Sequence, residues 1–200
     1  MYKPSDIANS ELLSSYLRTS TDQLDRFVNG NQNIIDWQNK ENIKAPSADR
    51  DKITVFERFY IPKRNKSLGY RIVYKPWDQF TFDILKVLKF NLTELYKPED
   101  CVHGFVSNRS TRSNAIVHLG QKHLLKLDIK NFFESLKIDS VKDAFVSLGF
   151  KEDIAIQLSR ICTLEEKLVQ GFPTSPVLAN IISVEMDKRI HKLCKDKGAL

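Results

Sequence analysis

Residues 125–136 read LKLDIKNFFESL, and this stretch places one acidic side chain, Asp128, inside an otherwise apolar run. The segment HLLKLDI, residues 123–129, has the composition of a buried β-strand. Burying an unpaired carboxylate in such a strand is unfavourable by several kcal/mol. Asp128 therefore requires a basic partner, a capping role or a metal ion.

A carboxylate at the end of a strand can bind a hard cation through oxygen. Magnesium takes few protein ligands and completes its shell with substrate phosphates, so Asp128 and the backbone carbonyl of Ile129 could form half of an Mg²⁺ site. The alternative is an ion pair of Asp128 with Lys126, Lys130 or a nearby arginine. The segment alone leaves both interpretations open.

The overall composition is that of a soluble globular protein, because 42% of the 200 residues are hydrophobic and 28% are charged. No apolar run has the length of a membrane span, and the N-terminus lacks the apolar stretch of a signal peptide. The three cysteines are widely separated, which argues against a disulfide framework. We therefore expect a cytoplasmic protein without membrane contact.

Positive charge is concentrated in two stretches. Residues 58–77 contain six lysines and arginines and no acidic residue, and residues 101–127 contain four and again no acidic residue. Stretches of one sign favour an anionic partner such as nucleic acid or nucleotide phosphates. Two solvated surface loops would show the same pattern, so charge alone does not decide.

The remaining pattern predicts a mixture of helices and strands. Residues 53–62 and 70–76 alternate as the two strands of a β-hairpin with a basic tip. Apolar residues from Trp77 to Leu95 follow helical spacing and predict a long helix that ends near Pro98. Shorter helices are predicted over residues 22–28, with Thr21 as cap and Gly30 as stop, over 139–150 and over 153–164.

The segment QGFPTSPVLAN, residues 170–180, predicts a shaped loop followed by a helix. Ser175 is the expected N-cap and Pro176 the first helical residue, and Ile190 is among the side chains predicted to face inward. From such a loop Gln170 could contact a base or a sugar. A loop-to-helix junction without any ligand is the alternative.

Together these segments resemble the reverse transcriptases, which are RNA-directed DNA polymerases. LKLDIKNFF resembles the family's first catalytic strand with its metal-binding aspartate, and QGFPTSP resembles its Gln-Gly-x-x-x-Ser-Pro loop about forty residues later. Residues 103–118, HGFVSNRSTRSNAIVH, resemble the His-Gly-Phe lead-in and the Asn-Ala-x-x-His signature of bacterial retron reverse transcriptases. Three motifs in this order argue against a chance match.

The resemblance implies an α+β, right-hand polymerase fold with fingers, an incomplete palm and no thumb. Residues 1–104 would form the fingers, and residues 105–134 would enter the palm with the first catalytic strand. Residues 135–174 would return to the fingers, and residues 175–200 would form a truncated palm helix.

The resemblance also implies roles for individual residues. Asp128 would bind two magnesium ions, with the Ile129 carbonyl on one of them. The Phe133 ring would act as a sugar gate that excludes the 2′-hydroxyl of ribonucleotides. The other implied nucleotide contacts are Lys63 and Arg71 on the triphosphate, Asn131, and Gln170 on the nucleotide or template. The retron signature, without an assigned role, is carried by His103, Asn114 and His118.

The implied reaction is the in-line attack of a primer 3′-hydroxyl on the α-phosphate of a dNTP, with Mg²⁺ stabilising the attacking and leaving oxygens. In retrons the primer would be a 2′-hydroxyl of a structured noncoding RNA, and the DNA product would remain joined to that RNA template. The resemblance further implies a role in phage defence, with a retron effector protein as a candidate partner.

The sequence departs from the family pattern after Ser175. No Tyr-x-Asp-Asp strand follows before Leu200, and a single carboxylate cannot position two metals. We therefore expect a fragment of a longer enzyme that polymerises poorly by itself. One alternative is a non-catalytic RNA-binding module derived from a reverse transcriptase and bound to RNA through phosphate contacts. A third interpretation, with spacings that match no common structural pattern, is a zinc site at Cys101, His103, His118 and His123.

Overall fold

The computed structural model of the chain combines helices with a β-hairpin, a mixture that agrees with the predicted α+β class. It describes residues 3–25, 27–28, 56–65, 67, 69–76 and 79–198. A 3₁₀-helix spans Pro4–Asp6, and the strands are β1 (Phe56–Pro62) and β2 (Tyr70–Pro76). The α-helices of these residues are α1 (Ser10–Tyr16), α2 (Thr21–Asp25), α3 (Gln79–Leu95), α4 (Thr111–Ile116), α5 (Phe132–Ser135), α6 (Ile138–Ser147), α7 (Glu152–Cys162) and α8 (Ser175–Asp196).

The predicted β-hairpin is confirmed. β1 and β2 pair in antiparallel register, with Phe56 opposite Pro76. A two-stranded hairpin is only marginally stable by itself. Here its inner end packs on the rest of the chain, because the Phe56 ring lies 5.3 Å from the ring of Phe172. Residues 53–55 of the predicted first strand lie outside the described residues.

The core is built by helices whose apolar residues recur at intervals of three and four. α6 and α7 form a packed pair that buries Phe145 and Leu158 completely. The buried side chain of Asn91 in α3 donates to the backbone carbonyl of Tyr16 at 3.2 Å and fixes α1 to this core. α3 buries one apolar face, as its spacing predicted, formed by Ile84, Leu85, Leu88 and Leu92.

The start of α2 differs from the prediction by one residue. The helix begins at Thr21, and the hydroxyl of Ser20 accepts the backbone N–H of Gln23 at 3.3 Å. Ser20 therefore caps the helix, because its side chain satisfies a free N–H of the first turn. The predicted stop at Gly30 and the Trp77 start of α3 lie outside the described residues.

The long helix α8 is confirmed, but its N-cap is Thr174 and not Ser175. Ile190 is 52% exposed, so the prediction that it faces inward is wrong. The reason is that the described part of the chain buries no residue of α8 after Ser183. None of the described helices, α8 included, is both long and apolar enough to cross a membrane.

The strand predicted at residues 123–129 is absent from the described structure. The segment has no regular secondary structure, and all of residues 121–130 are exposed, with Leu125 at 80% and Leu127 at 81%. A strand requires a neighbour that pairs with its N–H and C=O groups, and the hairpin is the only sheet among the described residues. Asp128 is therefore exposed to solvent and not buried among apolar side chains.

Candidate functional site

One cavity gathers side chains from three separate segments of the chain. It has a volume of about 240 Å³ and lies between the hairpin, α5 and the loop that leads to α8. Four of its lining residues are implied nucleotide contacts, namely Lys63, Arg71, Asn131 and Gln170. The complete lining consists of Lys63, Tyr70, Arg71, Ile72, Tyr74, Asn131, Glu134, Lys167 and Gln170.

The hairpin supplies two cations to the cavity. Lys63 follows β1 and Arg71 lies near the start of β2, and the N–H of Lys63 donates to the carbonyl of Gly69 at 3.0 Å. Gly69 has a φ of +78°, which glycine adopts without the strain that a side chain would bring. This closed tip brings an ammonium and a guanidinium to the same cavity.

Gly171 explains why the loop of Gln170 can lie directly against β2. The N–H of Tyr74 donates to the carbonyl of Gln170 at 2.7 Å, which joins the two segments. A Cβ atom at position 171 would lie 2.1 Å from the carbonyl oxygen of Tyr74, and the φ of Gly171 is +107°. Both the close approach and the backbone conformation therefore require glycine.

The Ser-Pro pair closes the same loop from its other end. The buried hydroxyl of Ser175 donates to the backbone carbonyl of Val169 at 2.7 Å. This bond occupies the serine side chain, so Ser175 is the first residue of α8 instead of its cap. The bond fixes the loop that carries Gln170 to the rigid start of α8.

The third segment enters the cavity at the start of α5. Asn131 has a left-handed backbone with a φ of +52°, a conformation that asparagine tolerates better than most residues. Its carbonyl accepts the N–H of Ser135 at 3.0 Å and begins the short helix. Glu134, one turn later, also lines the cavity, and its buried Oε2 atom has no hydrogen-bond partner among the described residues.

Lys167 lines the cavity from a tight turn. Leu164 and Lys167 exchange two backbone hydrogen bonds, of 3.0 and 3.2 Å, around two central residues. Those residues, Glu165 and Glu166, have φ values of +50° and +59°. Positive φ at both central positions is the requirement of a type I′ turn, which normally contains Asn-Gly.

The turn is attached to the segment between α5 and α6. The N–H of Ile138 donates to the carbonyl of Glu166 at 2.9 Å, and the N–H of Leu168 donates to the carbonyl of Leu136 at 2.9 Å. These two bonds hold the backbone of Lys167 between them. The turn, α5 and the Gln170 loop are thus connected around the cavity.

Sequence reasoning missed five of the lining residues. The period of two in β2 places Tyr70, Ile72 and Tyr74 on one face of the strand and Arg71 on the other, so alternation alone does not identify them as neighbours of Arg71 in the cavity. No local pattern indicates Glu134 or Lys167, because both reach the cavity through tertiary contacts.

Tyr74 adds a hydrogen-bonding group to the cavity. Burial raises the pKa of its phenol, although the positive charge of Arg58 opposes that shift. The guanidinium of Arg58 lies 5.8 Å from the centroid of the Tyr74 ring. The hydroxyl of Tyr74 therefore remains protonated at neutral pH and can donate to a ligand.

Phe133 does not line the cavity. Its half-buried ring lies 5.8 Å from that of Phe132 and 6.5 Å from that of Phe105, and both Phe132 and Phe133 pack against the core. The structure thus separates the predicted sugar gate from the four predicted nucleotide contacts at the cavity.

Asp128 and Ile129 also lie outside the cavity lining, on the exposed segment 121–130. Asp128 forms no ion pair with any residue that the structure describes, so the lysine partners considered from the sequence are not engaged. Across the same residues, no three histidine, cysteine, aspartate or glutamate side chains are grouped closely enough to hold a metal ion. The proposed zinc ligands, Cys101 and the three histidines, therefore do not come together.

The retron signature residues lie around α4. Nδ1 of His103 is 2.9 Å from the hydroxyl of Ser113, which also accepts the N–H of Ser110. Asn114 is exposed and His118 is half-buried, and both make backbone hydrogen bonds within this turn of the chain. These contacts indicate that His103 helps to fix the start of α4.

Arg109 shows that part of the basic stretch 101–127 serves the fold. Its guanidinium donates to the backbone carbonyls of Glu99 and Val102, and it lies 3.7 Å from the carboxylate of Asp100. This arginine fixes the loop before α4 and is not available to an anionic partner.

Comparisons with known proteins agree with the resemblance. No family model matches the chain. The retron Mx65 reverse transcriptase of Myxococcus xanthus is 29% identical over 168 residues, which cover 74% of this chain and 38% of that protein. The retron Ec86 reverse transcriptase of Escherichia coli is 31% identical over 142 residues, which cover 71% of this chain and 44% of that protein. The chain thus spans less than half the length of these curated relatives, and over that part its resemblance to retron-type reverse transcriptases is confirmed.

Proposed function

We propose that this chain is the nucleotide-binding part of a retron-type reverse transcriptase and that its cavity binds the phosphates of a dNTP. The observation that carries the proposal is the convergence of Lys63 and Arg71 with Asn131 and Gln170 on one cavity. The planar guanidinium of Arg71 suits phosphate oxygens because it can donate two parallel hydrogen bonds. With Lys167, the lining contains three cations and one carboxylate.

Mg²⁺ is the proposed cofactor, and Asp128 would be its protein ligand together with the carbonyl of Ile129. An exposed carboxylate that forms no ion pair with the described residues suits magnesium, which binds one or two carboxylates and completes its shell with substrate phosphates. Bound there, Mg²⁺ would supply positive charge to the reacting phosphate. Because no three metal-ligating side chains are grouped together among the described residues, we expect weak or no primer extension by the isolated chain.

The sugar-gate role of Phe133 belongs to the same proposal. Phe133 lies beside Phe132 and outside the cavity lining. For Phe133 to act as the gate, the sugar of the bound nucleotide must extend from the cavity toward α5. Replacing Phe133 with leucine should then narrow the difference in affinity between dGTP and GTP. An unchanged difference would leave Phe133 with packing alone.

The wider role is proposed from the resemblance. The RNA-directed DNA polymerase would use a structured noncoding RNA as template and primer in the cytoplasm, with a DNA product joined to it. A retron effector protein and a function in phage defence complete this proposal. Identification of RNA that copurifies with the chain would test the first of these steps.

The central experiment is equilibrium binding of dTTP to the 200-residue chain, measured by calorimetry in buffer with Mg²⁺. The double variant Lys63→Ala/Arg71→Ala should raise Kd about 100-fold, because each charge-assisted hydrogen bond to phosphate contributes about 1.5 kcal/mol. The matched control is Arg64→Ala/Lys75→Ala, which removes two exposed charges of the same hairpin outside the cavity lining. Its Kd should rise less than about fivefold, because exposed charges are screened by salt.

Two outcomes would contradict the proposal. Equal losses in the two double variants would mean that general electrostatic attraction, and not the cavity, holds the nucleotide. Binding of structured RNA without any binding of dTTP would favour the non-catalytic RNA-binding module instead.

A further inference from the structure

We propose that Lys167 is a third phosphate-binding side chain of this cavity, held in place by the turn at residues 164–167. The proposal rests on the proposed function and extends it to a residue outside all three motifs. Its first support is position, since Lys167 lines the same cavity as Lys63 and Arg71. These cations come from two separate segments of the chain, the hairpin and the turn.

The second support is the rigidity of the backbone that carries Lys167. The paired bonds with Leu164 close the turn, and the bonds made by Ile138 and Leu168 hold it from the other side. The backbone of such a turn needs no further ordering when Lys167 binds a ligand, so the entropic cost is limited to the lysine side chain. The turn keeps this form although Glu165 and Glu166 both adopt left-handed conformations that glutamate disfavours.

The third support is that Lys167 can leave its present partner. Its Nζ atom lies 3.1 Å from the carboxylate of Glu165, which is 41% exposed. Exposed ion pairs of this kind are weak. The guanidinium of Arg58 lies 3.9 Å from the same carboxylate, so Glu165 keeps a positive neighbour when Lys167 turns toward a phosphate.

The charges of the cavity identify the ligand class. The lining contains the three cations Lys63, Arg71 and Lys167 and one carboxylate, that of Glu134, while Glu165 pairs with Lys167 from outside the lining. A surplus of two positive charges in a cavity fits a ligand with several negative charges close together, as in a nucleoside triphosphate. A monophosphate would satisfy fewer of these cations.

The test compares dTTP and dTMP binding to the full chain and its variants by calorimetry. Lys167→Ala should raise the Kd of dTTP about tenfold and change that of dTMP less. Lys167→Arg should stay within about threefold of the wild type, because arginine also binds phosphate. The control, Lys137→Ala, removes an exposed lysine paired with Lys167 across the backbone bridge but outside the lining, and its dTTP affinity should be unchanged.

The outcomes separate this proposal from the one on which it rests. Wild-type dTTP affinity in Lys167→Ala, together with lost binding in Lys63→Ala/Arg71→Ala, would overturn the role of Lys167 alone. Equal losses of dTTP and dTMP affinity, with a lowered melting temperature, would show a purely structural role and also overturn it. Absence of dTTP binding by the wild-type chain would overturn both proposals.

Discussion

Gly171 joins the hairpin to the Gln170 loop at a distance that no other residue permits. The Cβ atom of an alanine there would lie 2.1 Å from the carbonyl oxygen of Tyr74, and the φ of +107° is strained for any L side chain. We expect Gly171→Ala to lower the free energy of unfolding by about 3 kcal/mol or more, because backbone must move to relieve the contact. Urea denaturation, read as a change in midpoint, measures this loss.

The matched control for that substitution is Gly120→Ala. Gly120 also has a positive φ, +79°, but a Cβ atom there would meet nothing within 4 Å. Gly120→Ala should therefore lower the free energy of unfolding by only about 1 kcal/mol, the cost of a side chain in a left-handed backbone conformation. Equal losses at the two positions would show that the approach of the Gln170 loop to β2 is not tight.

At the scale of elements, the turn at residues 164–167 carries strain that a glycine would relieve. Glu166 is exposed and has a φ of +59°. Its backbone carbonyl accepts the N–H of Ile138, and this bond would remain in a glycine variant. Glu166→Gly should raise the free energy of unfolding by about 0.5–1 kcal/mol, since the left-handed penalty of a side chain exceeds the entropy that glycine adds to the unfolded chain. Thermal and urea unfolding provide the measurement.

The same exchange in a helix should have the opposite sign. Glu185 is an exposed residue within α8, where glycine is about 1 kcal/mol less favourable than good helix formers. Glu185→Gly should therefore destabilise the chain, although the side chain removed is identical. Destabilisation by both substitutions would contradict the type I′ assignment of the turn.

How far an element can be predicted depends on where its partners lie. The hairpin and α3 were predicted because their periodicity and their turn are local features. The segment 123–129 has the composition of a strand but remains exposed, because strand formation depends on a hydrogen-bonding neighbour that composition does not supply. For the same reason its Asp128 does not experience the burial that the sequence suggested.

At the scale of the whole molecule, the motifs located the cavity but not all of its chemistry. The implied nucleotide contacts on the hairpin, at Asn131 and at Gln170 do converge on it. Lys167 and Glu134 join them only through the contacts of a turn and a short helix, which no periodicity in the sequence reveals. The family resemblance thus predicted four of the lining residues and missed those that only tertiary packing brings to the cavity.

A buried thiol and a buried phenol in the core should make the stability of the whole chain fall at alkaline pH. Burial raises the pKa of Cys162 from 9.0 to about 12 and that of Tyr16 from 10.0 to about 12. Between these limits the folded chain keeps protons that the unfolded chain releases. These two groups should therefore leave the free energy of unfolding unchanged between pH 7 and 8 and lower it as pH rises from about 9 to 12. Each group contributes a slope of up to about 1.4 kcal/mol per pH unit.

Urea unfolding at a series of pH values measures this slope. Cys162→Ala should reduce the slope between pH 9 and 10, because the unfolded thiol loses its proton at lower pH than the unfolded phenol. A flat profile from pH 8 to 11 would show that neither group is held protonated by the fold.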